Sequence, residues 1–112
     1  MAHSIDDAAV DRALGWLVDN AEKAAQARAN RVLLEESCRS LKAKLMKEAG
    51  QESLGAQERE ALASDAYQTH LEGLRAAVYE DERYRLLRAA AEARIEVWRS
   101  LQANQRTQGK IG

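Results

Sequence analysis

Residues 48–65 read Glu48-Ala49-Gly50-Gln51-Glu52-Ser53-Leu54-Gly55-Ala56-Gln57-Glu58-Arg59-Glu60-Ala61-Leu62-Ala63-Ser64-Asp65, and this stretch decides the fold. It carries two of the six glycines in a chain of 112 residues that has no proline. Proline costs about 3 kcal/mol inside a helix and glycine about 1 kcal/mol relative to alanine. On either side of this break lie long stretches rich in Ala, Leu, Glu, Arg and Lys, the composition of long helices. The expected fold is therefore all-α. Two long helices, at about 4–49 and 64–105, form an antiparallel hairpin with coiled-coil-like packing. A short connecting helix is expected near 56–62, with continuity into the last helix as the alternative. Residues 1–105 make a single hairpin domain, and 106–112 form a frayed polar tail.

Local signals punctuate these elements. Ser4-Ile5-Asp6-Asp7 places an acid three residues after a capping serine, a carboxylate variant of the capping box. Lys42, Lys44 and Lys47 load the last turns of the first helix, the sign its dipole favours, and Gly50 is a natural stop. Ser53 caps the short helix, and Ser64-Asp65 can recap the chain for the last one.

Outward from the break, apolar residues recur at helical spacing. Leu14, Leu17, Ala21 and Ala24 form one run and Leu34, Cys38, Leu41 and Leu45 another, interrupted over residues 25–31. The last helix carries Tyr67, Leu71, Leu74 and Val78, then Tyr84, Leu87, Ala91, Ile95, Trp98 and Gln102. Its two phases are offset by one residue around Glu80-Asp81-Glu82, so a regular two-stranded zipper is not expected. Only ten residues are Val, Ile or Thr, too few and too scattered for a sheet.

Charge comes in blocks. Residues 6–23 carry a net −3, 28–47 a net +4, 48–65 a net −4, 72–82 a net −3 and 83–110 a net +5. Folding the chain back at residues 50–64 sets each block beside its opposite, which accounts for the pattern without a nucleic acid. Exposed ion pairs are individually weak, but their pattern selects orientation and register. With the helix ends near 47 and 67 facing each other, Trp16 falls opposite Trp98. Arg28 and Arg31 then fall opposite residues 81–85.

Two helices cannot hide all of the large apolar side chains from water. Adjacent apolar residues on a helix point about 100° apart, so one neighbour cannot cover both members of Leu33-Leu34 or Leu86-Leu87. The expected surface for self-association or a protein partner comprises Trp16, Leu33, Leu34, Tyr79, Tyr84, Leu86, Leu87 and Trp98. A homo-oligomer, most simply a dimer forming a four-helix bundle, is expected.

Recognisable chemistry is sparse. Cys38 is the one cysteine and sits on an apolar stripe, as a small core residue does. His3 lies near the start, and His70 follows Tyr67 by three as a boundary residue. No Glu-x-x-His pair, glycine-rich phosphate loop or supported nucleophile-base pair occurs. No catalytic, cofactor or metal residues are expected, and no enzyme. Arg94, Arg99, Arg106 and Lys110 are candidate nucleic-acid contacts, although a net charge of −1 gives no long-range attraction to DNA. No apolar run approaches the roughly 20 residues of a membrane span. The start carries acid where a signal peptide carries base, so a cytoplasmic protein without membrane contact is expected.

Two resemblances add to this reading. The segment Ala93-Arg94-Ile95-Glu96-Val97-Trp98-Arg99-Ser100-Leu101-Gln102-Ala103-Asn104-Gln105-Arg106 resembles the C-terminal part of small helical proteins of tailed-phage and prophage genomes. That likeness implies an accessory protein of the host cytoplasm with recombination, defence or assembly machinery as its partner. The long–short–long helix order is similar to that of the all-helical chorismate mutases, which bind a dicarboxylate with arginines and a lysine. Arg12, Arg28 and Arg39 have comparable spacing and Arg59-Glu60 matches that family's Arg-Glu pair, with arginine where the family has lysine. The leading expectation is a non-enzymatic helical interaction or assembly protein. A DNA-associated accessory factor using the basic C-terminal end is the alternative, and a small helical enzyme the third.

Overall fold

A computed structural model describes residues 5–111, with side chains as far as 109. Helix α1 spans Asp7–Glu48, α2 spans Leu54–Ala63 and α3 spans Asp65–Ile111, and no strand occurs among the described residues. The all-α hairpin expected from the sequence is the fold observed, with α1 packing against α3.

The expected cap at Ser4 lies outside the described residues. Asp6 holds the first turn instead. Its Oδ1 accepts the Ala9 N–H at 2.8 Å and its carbonyl accepts the Val10 N–H at 3.1 Å. At the other end α1 stops where glycine permits it. Gly50 has φ +68°, a backbone conformation that glycine enters without penalty.

The connection is tied by its polar side chains. Ser53 is extended and its Oγ accepts the Ala56 N–H at 3.1 Å, starting α2. Gln57 donates to the Gln51 carbonyl at 2.7 Å, and Gln51 donates to Glu60 at 2.9 Å. Ser64, with ψ 148°, keeps α2 and α3 separate. Its Oγ donates to the Ala61 carbonyl at 2.7 Å and accepts the Tyr67 N–H at 3.2 Å. One hydroxyl thus closes one helix and opens the next. At its far end α3 continues to Ile111, past the expected end at 105, because Leu101, Gln102, Ala103, Gln105, Arg106 and Gln108 are good helix formers and outnumber Asn104, Thr107 and Gly109.

The chain divides into two compact units, Met1–Ala24 with Arg83–Gly112, and Ala25–Glu82. The first packs around small side chains: Ala9, Val10 and Ala13 of α1 and Ala91 of α3 are buried. Trp16 and Tyr84 close one end with ring centroids 6.3 Å apart, and the Arg83 guanidinium lies 4.9 Å from the Tyr84 ring. The Trp98 indole N–H donates to Asp7 at 2.9 Å. The expected Trp16–Trp98 pairing is therefore corrected: each indole has a different partner.

The second unit buries Ala27, Ala61 and much of Asp81. Here α2 takes the flank of the last turns of α1, with Lys42 paired to Glu58 at 2.9 Å. The first turns of α3 consequently meet α1 further back. Residue 67 sits beside Cys38 and not beside residue 47, which is the physical reason the expected register fails. Of the expected juxtaposition of Arg28 and Arg31 with residues 81–85, Arg31 meets Asp81 and Glu82, whereas Arg28 lies on the other side of α1 beside Ala25 and Val32.

Candidate interaction surface

The described core is made of alanines and one valine, and no large side chain is fully enclosed. Alanine buries about one methyl group, worth on the order of 0.8 kcal/mol, and lets helix backbones approach closely. Larger residues are displaced outward as a consequence. Leu33 is 65% exposed, Tyr79 68% and Leu86 60%, while Leu14, Val18, Val32, Leu54, Leu87, Val97 and Leu101 are also exposed.

The structure sorts the eight expected surface residues into two groups. Leu33, Tyr79, Leu86 and Leu87 face water. Trp16, Leu34, Tyr84 and Trp98 are half-buried within their own units. The Leu33-Leu34 pair splits as helical geometry requires. Leu34 turns inward, where its carbonyl accepts from His70 Nε2 at 3.1 Å, and Leu33 turns outward. Because a carbonyl only accepts, His70 carries its proton on Nε2. Ser37 Oγ lies 3.3 Å from that nitrogen and donates to the same Leu34 carbonyl at 3.3 Å. The histidine is a structural tie between α1 and α3.

Cys38 has the same role. Its sulfur lies 3.4 Å from the Tyr67 hydroxyl. A bond from that hydroxyl to the sulfur, which only the neutral phenol can make, and partial burial push the Tyr67 ionisation above its ordinary value. Arg31 is the hub of the unit's charges. It bonds Glu35 at 2.8 Å, Glu82 at 3.1 Å and Asp81 at 3.3 Å, and Glu35 followed by Glu82 holds its charge on most firmly. His70, Cys38 and Arg31 thus each make contacts that tie α1 to α3. Among the described residues no cluster of His, Cys, Asp or Glu could hold a metal ion. No helix among them is long and apolar enough to cross a membrane.

Among the described residues, the candidate nucleic-acid contacts Arg94, Arg99 and Arg106 do not share one face of α3. Arg94 lines a cleft of about 360 Å³ together with Arg12, Trp16 and buried alanines, and sets one cation across from another. Arg99 pairs with Glu96 of its own helix at 3.3 Å. Arg106 is exposed and lies two turns beyond Arg99 on the same side of α3, away from Arg94. The side chain of Lys110 lies outside the described residues. Of the arginines matched to the chorismate mutases, Arg12 belongs to one unit and Arg28 and Arg39 to the other.

A groove on α1 escaped the sequence reading. Ala25, Arg28, Ala29, Val32, Leu33 and Glu36 line a shallow, largely apolar depression within the unit Ala25–Glu82. The sequence signal was present: these positions follow 3/4 spacing, on the side of α1 opposite Ala27, Leu34 and Cys38. Residues 25–31 look like an interruption only when a single stripe is sought.

Comparison with known proteins finds no matching family model, no matching curated protein and no matching solved structure.

Proposed function

We propose that this protein is a non-enzymatic helical interaction module that self-associates and acts by presenting apolar helix faces to other proteins. One observation carries the reading: the molecule buries alanine and displays leucine, valine and tyrosine. An isolated exposed leucine is ordinary on a protein surface, but many large apolar side chains around a core of alanines mark surfaces awaiting a cover. The groups that could do chemistry support the same reading, because His70, Cys38 and Arg31 are engaged in holding helices together. The C-terminal likeness to small phage proteins sets the class of partner to test after the chain itself: recombination, defence or assembly machinery.

Sedimentation velocity of the full chain tests self-association. A reversible shift from monomer to a larger species is expected between about 1 and 200 µM, the range of small or transient interfaces. A single monomeric species across that range would overturn the proposal.

A further inference from the structure

We infer that the outer face of α1 over residues 25–36 is a two-fold interface that receives a second copy of this chain, antiparallel, with the symmetry axis at Val32. The inference rests on the self-association proposed above and specifies its surface and geometry. Three features of this face point to a twin.

The first is apolar exposure in a usable shape. Val32 is 48% exposed and Leu33 65%, and the alanines at 25 and 29 beside them let another helix approach closely. The second is the placement of charge. Arg28 lies four residues before Val32 and Glu36 four residues after it, on the same side of the helix. An antiparallel copy centred on Val32 sets Arg28 of each chain opposite Glu36 of the other, giving two pairs from one symmetric operation. A parallel copy in register would set Arg28 against Arg28 and Glu36 against Glu36, a like-charge arrangement that is penalised. The charges therefore choose the orientation as well as the occupant.

The third is the availability of those charges. Among the described residues Arg28 forms no ion pair within the chain, and nothing about the hairpin fold accounts for it there. Glu36 approaches only Arg39, at 3.9 Å with both side chains largely exposed, a contact of little strength. The inward-facing charges of the same helix behave differently, since Arg31 is held by three carboxylates. α1 thus has one face whose charges are firmly matched inside the molecule and one on which, among the described residues, Arg28 has no ion pair and Glu36 only a weak one.

A cysteine scan on the full chain tests this. In a Cys38→Ser background, Val32→Cys places thiols at the axis, where the two Cβ atoms fall within disulfide reach. Mild oxidation is expected to convert this variant to a covalent dimer. Ala43→Cys lies on the same side of α1 and is exposed. In the antiparallel arrangement it faces residue 21 of the twin, so it is expected to remain uncoupled. Efficient coupling at both positions would mean a parallel dimer and would overturn the inference.

Charge reversal gives an independent measurement that needs no cysteine. Arg28→Glu and Glu36→Arg are each expected to weaken dimerisation by about tenfold, and the double exchange to restore most of it. Far-ultraviolet circular dichroism checks that each variant remains helical. A dimer in sedimentation that is indifferent to both reversals and does not couple at position 32 overturns this interface while leaving self-association standing. A monomer at every concentration removes both.

Discussion

The two compact units both pair a part of α1 with a part of α3, yet they are held differently. Ala25–Glu82 is tied by directed polar contacts between distant residues. Arg31 reaches Asp81 and Glu82, His70 bonds the Leu34 carbonyl, Cys38 meets Tyr67, and Lys42 meets Glu58. The unit of Met1–Ala24 with Arg83–Gly112 relies more on shape, with buried alanines, a Trp16–Tyr84 contact and the Trp98–Asp7 bond. The chain loops differ as well. Cys38 and Tyr67 are 29 residues apart, whereas Asp7 and Trp98 are 91 apart. Closing the longer loop costs more entropy, although the dependence on length is weak. The difference teaches that register is held by specific polar partners where the chain turns and by packing where its ends meet.

The largest expected effect comes from removing the principal ring of the shape-dependent unit. Trp16→Ala deletes the partner of Tyr84 and opens the cleft floored by Ala9, Ala13 and Ala91. A loss of about 2 kcal/mol is expected, below that of a fully buried tryptophan because Trp16 is half-buried. Amide hydrogen exchange should show the loss in residues 7–24 and 83–111. Equal loss of protection across residues 25–82 would mean that the two units unfold as one, and the comparison would fail.

A smaller effect is expected at the polar tie between the last two helices. Ser64→Ala removes the hydroxyl that donates to Ala61 and accepts from Tyr67. Loss of such a cap costs about 1 kcal/mol and should lower the thermal midpoint by about 5 °C. Ser64→Asp preserves the acceptor for α3 and should recover part of that loss. If Ser64→Ala is instead neutral, α2 and α3 can fuse without penalty and the break is not held by its cap.

How much of this was legible beforehand follows from the same contrast. The helices, the break and the caps at Ser53 and Ser64 were readable, because proline, glycine and serine act locally on the backbone. Arg31 was placed correctly against Asp81 and Glu82 because opposite charge blocks carry information over distance. Trp16 was matched to Trp98 in error. The spacing of aromatic residues does not distinguish Tyr84 from Trp98 until α2 has taken up the flank of α1. The outer groove was missed for a related reason. Apolar residues are spread around α1, so no one face dominates its periodicity, and residues 25–31 were read against the inward face alone.

The smallest expected effect probes the Cys38–Tyr67 contact by pH. In the folded chain the bond that the neutral hydroxyl donates to the Cys38 sulfur, with partial burial, favours the neutral phenol, so Tyr67 ionises above its ordinary value near 10. A group whose folded ionisation lies above its unfolded one favours folding fully at lower pH. That contribution is then lost as pH rises from the unfolded value through the folded one. Stability should therefore be indifferent to this pair at neutral pH and decline in alkaline solution. Ultraviolet titration of the phenolates should show a late component, above the ordinary tyrosine value, that belongs to Tyr67. Cys38→Ala removes the sulfur that the hydroxyl bonds and should bring that late component down toward the ordinary tyrosine value, whereas Tyr79→Phe, at an exposed position, should leave it in place. If the late component instead disappears with Tyr79→Phe, the shifted hydroxyl belongs to the outer surface. The polar ties credited to Ala25–Glu82 would then lose one of their members.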